Sequence, residues 1–391
     1  MPYLDQIQLR GKRVLVRSDL NVPIDQGTIR DDNRIRASVP TYEHILNQGA
    51  ALVICSHMGK PKGDKDPSLS LRPVADRLQE LLGRKVKMAP DCVGDEVKSM
   101  ADALQPGQVL LLENLRFHSG ETKNDPEFSR QLGSLAEVYV DDAFGVVHRA
   151  HASVVGVTEH VDSACAGLLL QKEVEYLGKA MADPDHPFVL VAGGAKVSTK
   201  LGILTNLLDT VDRIIVGGAM ANTFLRSMGV QVGSSKVEED LIDQALQTMQ
   251  TARSKGVSFY LPVDCLTAAD IKAAQPSGVF PFQDVPREEM ILDIGPATHT
   301  LFAEVLRDAK TVVWNGPMGA FENPSFSQGS VGLAQSVAKV DGLTIVGGGD
   351  TDALVHTCGL VDSMSFISTG GGSFLEFLEG KKLPGIQALG L

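Results

Sequence analysis

Cysteine is scarce in this chain and scattered. The five residues, Cys55, Cys92, Cys165, Cys265 and Cys358, are odd in number and form no Cys-x-x-Cys pair. That pattern argues against a disulfide framework or a zinc site and points to a reducing cytoplasm. Long apolar runs are also missing: none approaches the roughly 20 residues that span a bilayer. The opening Met-Pro-Tyr-Leu-Asp-Gln has neither the basic patch nor the apolar stretch of a signal peptide. Positive charge is in deficit. A net charge of -12 disfavours nucleic acid or an anionic membrane as the main partner.

What remains is an ordinary globular composition, 43% hydrophobic and 21% charged, over 391 residues, a length that favours two domains. The charge is uneven. Residues 1–150 hold 20 Lys and Arg against 21 Asp and Glu, whereas residues 151–391 hold 16 against 27.

Short apolar runs alternate with helix-length segments. The pattern predicts strands at 14–17, 51–55, 109–112 and 138–140 in the first half. In the second half it predicts them at 188–191, 213–216, 258–261, 290–293, 311–314, 344–346 and 365–367. Continuous apolar runs suit strands buried on both faces, and strand–helix repetition implies parallel sheets. Groups of about four and seven strands fit two open sheets better than one closed barrel. Amphipathic helices are expected at 72–82 and 239–254. Another is expected at 168–182, where Asp183-Pro-Asp-His-Pro187 stops it. The expected architecture is α/β: two three-layer domains, 1–167 and 188–374, joined by a hinge helix and connector at 168–187.

The chemistry-bearing motifs fall directly after these runs, where open α/β sheets bind ligands. Gly347-Gly-Gly-Asp350-Thr351 and Gly370-Gly-Gly372 each lie between a strand and a helix, so their amides can approach an anion at a helix N-terminus. Asp350 reads either as a magnesium ligand or as a helix N-cap. Gly193-Gly194-Ala195-Lys196 and Lys200 lack P-loop spacing. The two lysines, four apart, would share a helix face. Asn315 and Glu322 lie on a Gly/Pro-rich loop that reads either as a structural turn or as one able to hydrogen-bond a nucleoside. In the first half Asp19 and Asn21 end the first strand and could both bond a hydroxyl, while Arg34, His57, Lys60, Arg116 and Arg149 lie at or soon after strand ends, a basic set suited to a small phosphorylated anion. No Ser-His-Asp arrangement is present. The contiguous, late glycine runs do not match a dinucleotide fingerprint.

Taken together, Arg17-Ser-Asp-Leu-Asn-Val-Pro23, Ser56-His-Met-Gly-Lys-Pro61, Leu112-Glu-Asn-Leu-Arg-Phe-His118, Asp142-Ala-Phe-Gly145 with His148-Arg-Ala-His151, Gly193-Gly-Ala-Lys-Val197, Trp314-Asn-Gly-Pro317 and Gly347-Gly-Gly-Asp-Thr351 resemble the phosphoglycerate kinase family, in that family's order. The resemblance implies two Rossmann-like domains about a hinge, with residues 375–391 packing back on the first. It implies 3-phosphoglycerate or 1,3-bisphosphoglycerate held by Asp19, Asn21, Arg34, His57, Lys60, Arg116 and Arg149. It implies ADP or ATP with Mg2+ served by Gly194, Ala195, Lys196, Lys200, Asn315, Glu322 and Gly348, Gly349, Asp350 and Thr351, with Asp350 toward the metal. Arg34, Lys196, Lys200 and Gly372 would act on the transferring phosphoryl group. A monomer is expected. One residue departs from the family: Lys60 stands where arginine is usual, keeping the charge but losing the planar fork. The rival reading is a nucleotide-binding protein of the same fold that has lost catalysis.

Overall fold

The computed structural model describes residues 3–25, 27–61 and 65–391. The chain divides into two compact units, Met1–Glu175 with Lys382–Leu391, and Tyr176–Lys381.

The first unit is built on a six-stranded parallel sheet. Its spatial order is Val86–Met88, Val109–Leu111, Ala51–Cys55, Arg13–Arg17, Val138–Asp141, Ser163–Ala166. Ala51–Cys55 and Val138–Asp141 are buried along their whole length, as strands covered on both faces must be. Helix Asn33–Asn47 and helix Arg72–Leu82 cover one side, and Ile35, Ile45, Val74 and Leu78 join Val14, Leu52 and Ile54 in one core. Each fully buried aliphatic side chain of this kind contributes about 1.5–3 kcal/mol. Lys382–Leu391 belongs to this unit, where the Gly385 amide donates to the Val147 carbonyl at 2.8 Å.

The second unit holds another six-stranded parallel sheet, in the order Ser258–Tyr260, Arg213–Val216, Phe188–Ala192, Thr311–Asn315, Leu343–Gly347, Phe366–Ile367. With these strands numbered along the chain the order is 3-2-1-4-5-6, the doubly wound arrangement whose switch point lies between the first and fourth strands. Trp314, fully buried, anchors the core beside Val191, Phe302 and Leu333.

Three expectations need correction. Of the tail expected on the first unit from 375 onward, only Lys382–Leu391 belongs there; 375–381 stay with the second unit, where Asn206 Nδ2 donates to the Leu378 carbonyl at 2.8 Å. The groups of four and seven become six and six, because Val86–Met88 and Ser163–Ala166 join the first sheet. Met290–Ile294, expected among the parallel strands, instead pairs antiparallel with Asp264–Ala268, which also pairs with Gly278–Pro281. This three-stranded antiparallel sheet is only partly covered: Gly278–Pro281 is nowhere fully buried and Met290–Ile294 is buried only in its second half. One-sided burial is normal for antiparallel sheets.

Candidate active site

The first cluster gathers at the carboxyl ends of the first unit's strands. Asp19 and Asn21 follow Arg13–Arg17, and His57 and Lys60 follow Ala51–Cys55. Arg116 sits in the 3-10 turn Leu115–Phe117, beyond Val109–Leu111, and Arg149 lies beyond Val138–Asp141. Arg34, in the first turn of its helix, reaches back: Nη1 donates to Asp19 Oδ2 at 3.0 Å and to the Asn21 carbonyl at 3.2 Å. Asn21 Oδ1 accepts the Gly59 amide at 2.9 Å, and Arg116 Nη1 donates to the Gly59 carbonyl at 2.6 Å. The loops after neighbouring strands are thereby tied together. Burial foremost, then the nearby cations Arg17 and Arg149, push Arg116 down to about 10. Lys60 and Arg149 are exposed on this rim, with Arg149 Nε donating to His148 Nε2 at 3.0 Å.

Behind the rim lies a buried network that the sequence did not disclose. Arg17, fully buried, donates from Nε to Ser153 Oγ at 2.9 Å, and its Nη2 lies 3.1 Å from His57 Nδ1. A guanidinium only donates, so His57 Nδ1 must accept and the ring is neutral with its proton on Nε2. Burial, reinforced by Arg17, Arg116 and Arg34, lowers the His57 pKa well below its usual value, in keeping with that form. Ser153 donates from N and Oγ to Glu121, at 2.9 and 2.7 Å. Burial opposes Glu121 ionisation, but His151, Arg17 and Ser153 together hold it below the usual carboxylate range. Glu121 thus balances Arg17. The clue was present: Arg17 is a charged residue ending an apolar strand run.

The second cluster surrounds the switch point of the second sheet. The Gly193 and Gly194 amides donate to the carbonyls of Asn315 and Pro317, both at 2.9 Å. A Cβ on Gly193 would meet the Gly316 carbonyl oxygen at 2.4 Å, so only glycine permits this approach of two loops. Asn315 donates from Nδ2 to the Gly347 carbonyl at 2.6 Å, and Thr351 Oγ1 accepts the Gly316 amide at 2.8 Å. The buried Asn315 Oδ1 has no hydrogen-bond partner among the described residues. Gly348, at φ +95°, precedes helix Gly349–Thr357, whose first turn carries exposed Asp350. Gly372 lies in the first turn of helix Gly371–Leu378.

A cavity of about 360 Å³ opens at this cluster. Gly194, Gly218, Leu225, Leu292 and Met318 form part of its wall, with Glu322 and Asp350 adding charge. Sequence reasoning missed Gly218, although Gly217-Gly218 follows strand Arg213–Val216 just as Gly193-Gly194 follows Phe188–Ala192. The reading of Lys196 and Lys200 on one helix face is corrected. They flank the 3-10 turn Val197–Thr199, Lys196 exposed and Lys200 only 8% exposed. Glu238 accepts the Ser198 amide at 3.0 Å and its hydroxyl at 2.6 Å, which ties the turn down ahead of helix Leu201–Asn206. Burial lowers Lys200 to about 8, against the pull of Asp350 and Glu379.

A cationic rim in one α/β unit, and glycine loops with a helix N-terminus and a mostly apolar cavity in the other, define a phosphotransferase. The family model described as phosphoglycerate kinase matches residues 4–381. A phosphoglycerate kinase from Maridesulfovibrio salexigens is 54% identical over 100% of this chain and 99% of its own length. One from Geobacter sp. is 52% identical over 99% and 98%. The solved phosphoglycerate kinase from Coxiella burnetii has a TM-score of 0.91 at 44% identity, covering 100% of this chain and 98% of that one. The chain belongs to the phosphoglycerate kinase family.

Proposed function

We propose that this chain transfers the 1-phosphoryl group of 1,3-bisphosphoglycerate reversibly to ADP, giving 3-phosphoglycerate and ATP. The observation that carries the reading is the pairing of two clusters of different chemistry on two sheets. The rim of Arg34, Arg116, Arg149 and Lys60 suits a small, highly anionic molecule, with Asp19, Asn21 and His57 Nε2–H offering hydrogen bonds to its polar groups. The cavity beside Gly194 and Gly218 suits a planar base, Glu322 a sugar hydroxyl, and the Gly348–Thr351 loop a phosphate chain.

Exposed Asp350 in a phosphate loop fits Mg2+, a hard cation that takes carboxylate oxygen and keeps much of its water. When bound, the ion would neutralise phosphate charge. The protein's own part is positioning. A β-phosphate oxygen attacks the acyl phosphorus in line, the P–O bond to the carboxyl group breaks, and the carboxylate leaves with the electron pair. No protein nucleophile or base is required. Arg34 and Lys200, with Lys196 in support, neutralise the equatorial oxygens. The amides of Gly348–Asp350 and Gly371–Gly372 add helix N-terminal stabilisation. Each substrate would bind its own unit, and flexing about Leu168–Ala182 would bring them together and exclude water. Among the described residues no helix is long and apolar enough to cross a membrane. We further take the enzyme to be a cytoplasmic monomer, as the family resemblance and the scattered cysteines imply.

Removing Arg34 or Lys200 by alanine substitution lowers kcat by on the order of 10²–10³. Steady-state kinetics at saturating substrates would show this. A near-unchanged kcat would remove that residue from the transition state.

A further inference from the structure

One cluster on the first unit takes no part in the reaction above. Strands Val86–Met88 and Val109–Leu111 pair in parallel with Met88 opposite Leu111, so the segments that follow them run side by side. The first brings Asp91 and Cys92. The second ends its 3-10 turn at His118, two residues beyond Arg116. His118 Nε2 and Asp91 Oδ1 are 2.6 Å apart, and Lys65 Nζ lies 2.6 Å from Asp91 Oδ2. Cys92 is fully buried, whereas the Asp91 and His118 side chains are 24% and 33% exposed, which leaves an approach from solvent. The ring of Phe128, 5.5 Å away between centroids, packs beside His118.

One ligand atom from each of Asp91, Cys92 and His118 lies within 4.8 Å of the other two. Bonds of about 2.0–2.3 Å at tetrahedral angles would set zinc ligands roughly 3.3–3.8 Å apart. Closing the set therefore takes movements on the order of 1 Å, with the 2.6 Å His118–Asp91 contact opening and the wider gaps drawing in. We propose that Asp91, Cys92 and His118 form a binding site for a borderline-soft divalent transition metal, of the zinc type, with water as fourth ligand. Thiolate, imidazole and carboxylate are the donors that zinc accepts, and the first two discriminate against magnesium. On binding, the Cys92 thiol releases its proton to solvent. The His118–Asp91 hydrogen bond gives way to an Nε2–metal bond, with the ring proton on Nδ1. Lys65 already holds a positive charge against Asp91 and is the group the ion displaces or shares it with. The bound ion cross-links the segment carrying Asp91 to the turn carrying Arg116. The scattered cysteines gave no hint of this, because the third ligand is a histidine 26 residues beyond Cys92 that the sheet brings alongside.

The test is a Co2+ titration of the full chain, reduced and free of nucleotide, followed by absorption. The expected result is one Co2+ per chain with an intense tetrahedral visible spectrum and a thiolate-to-cobalt charge-transfer band, bleached by Zn2+. Both bands are lost in Cys92→Ser. Zn2+ raises the Tm of the wild type and leaves that variant at its own metal-free value. If Cys92→Ser fails to fold, His118→Asn, altered at a partly exposed side chain, gives the same reading. A weak octahedral spectrum without the thiolate band in the wild type would overturn the proposal. So would bands that survive in the variant.

Discussion

At the residue scale, the charge state of His57 follows from its neighbours. Arg17 can only donate to Nδ1, and burial with three nearby arginines keeps the ring neutral. We expect nitrogen NMR to find His57 in the Nε2–H form at every pH from about 6 to 8, within the range where an ordinary histidine titrates. A ring protonated at pH 6, or carrying its proton on Nδ1, would contradict the network. Glu121→Gln removes the buried charge that balances Arg17 and one acceptor of the Ser153 hydrogen bonds. Its expected effect is a loss of about 1–3 kcal/mol, read from urea denaturation. Lys60 is different. It is exposed, and the cationic set still holds Arg34, Arg116 and Arg149. Lys60→Arg should leave the KM for 3-phosphoglycerate unchanged or slightly lower, by restoring a planar fork; a collapse of kcat would show that this position does more than bind.

At the scale of elements, Asp142 links a strand end to a helix. Its Oδ1 accepts the amides of Leu169 and Leu170 at 2.9 and 3.4 Å, in the first turn of Leu168–Ala182. Full burial pushes its pKa up to about 7, with Asp141 adding to the effect. A carboxyl raised on folding binds its proton more tightly in the native state. It therefore contributes stability at acid pH that is lost as pH rises from the unfolded value near 4 through about 7. Asp141, raised to about 6, and Asp293, raised to about 7, act with the same sign. The urea midpoint should fall between pH 5 and pH 8, and Asp142→Asn should flatten part of that fall. An unchanged slope in the variant would show that Asp142 does not titrate in this window.

The elements also show what the sequence could disclose. Arg72–Leu82 and Leu168–Ala182 were legible, one from apolar spacing and the other from the proline stop behind it. Val86–Met88 was not, since a central lysine breaks a three-residue run, and Ser163–Ala166 has only small residues. The placement of glycine loops and charged residues just beyond the strands was legible, because those motifs directly follow apolar runs. Arg17, Glu121 and Ser153 were not, because they meet only through contacts 32 or more residues apart along the chain.

At the scale of the whole molecule, two compact units each carry one cluster, and helix Leu168–Ala182 runs across the point where the chain passes from one unit to the other. If each substrate binds its own unit, in-line transfer requires them to close. Small-angle scattering should then record a smaller radius of gyration only with 3-phosphoglycerate and the magnesium–nucleotide complex present together, and neither alone should suffice. Equal radii in all four conditions would argue against closure.

The most direct test of the account is a coupled assay of the purified chain with 3-phosphoglycerate, ATP, Mg2+, glyceraldehyde-3-phosphate dehydrogenase and NADH, with Lys200→Ala alongside. Steady NADH loss is expected that depends on both substrates and falls on the order of a hundredfold or more in the variant. A folded protein that binds nucleotide but produces no NADH loss would contradict it, and would favour a nucleotide-binding protein that has kept the fold without the catalysis.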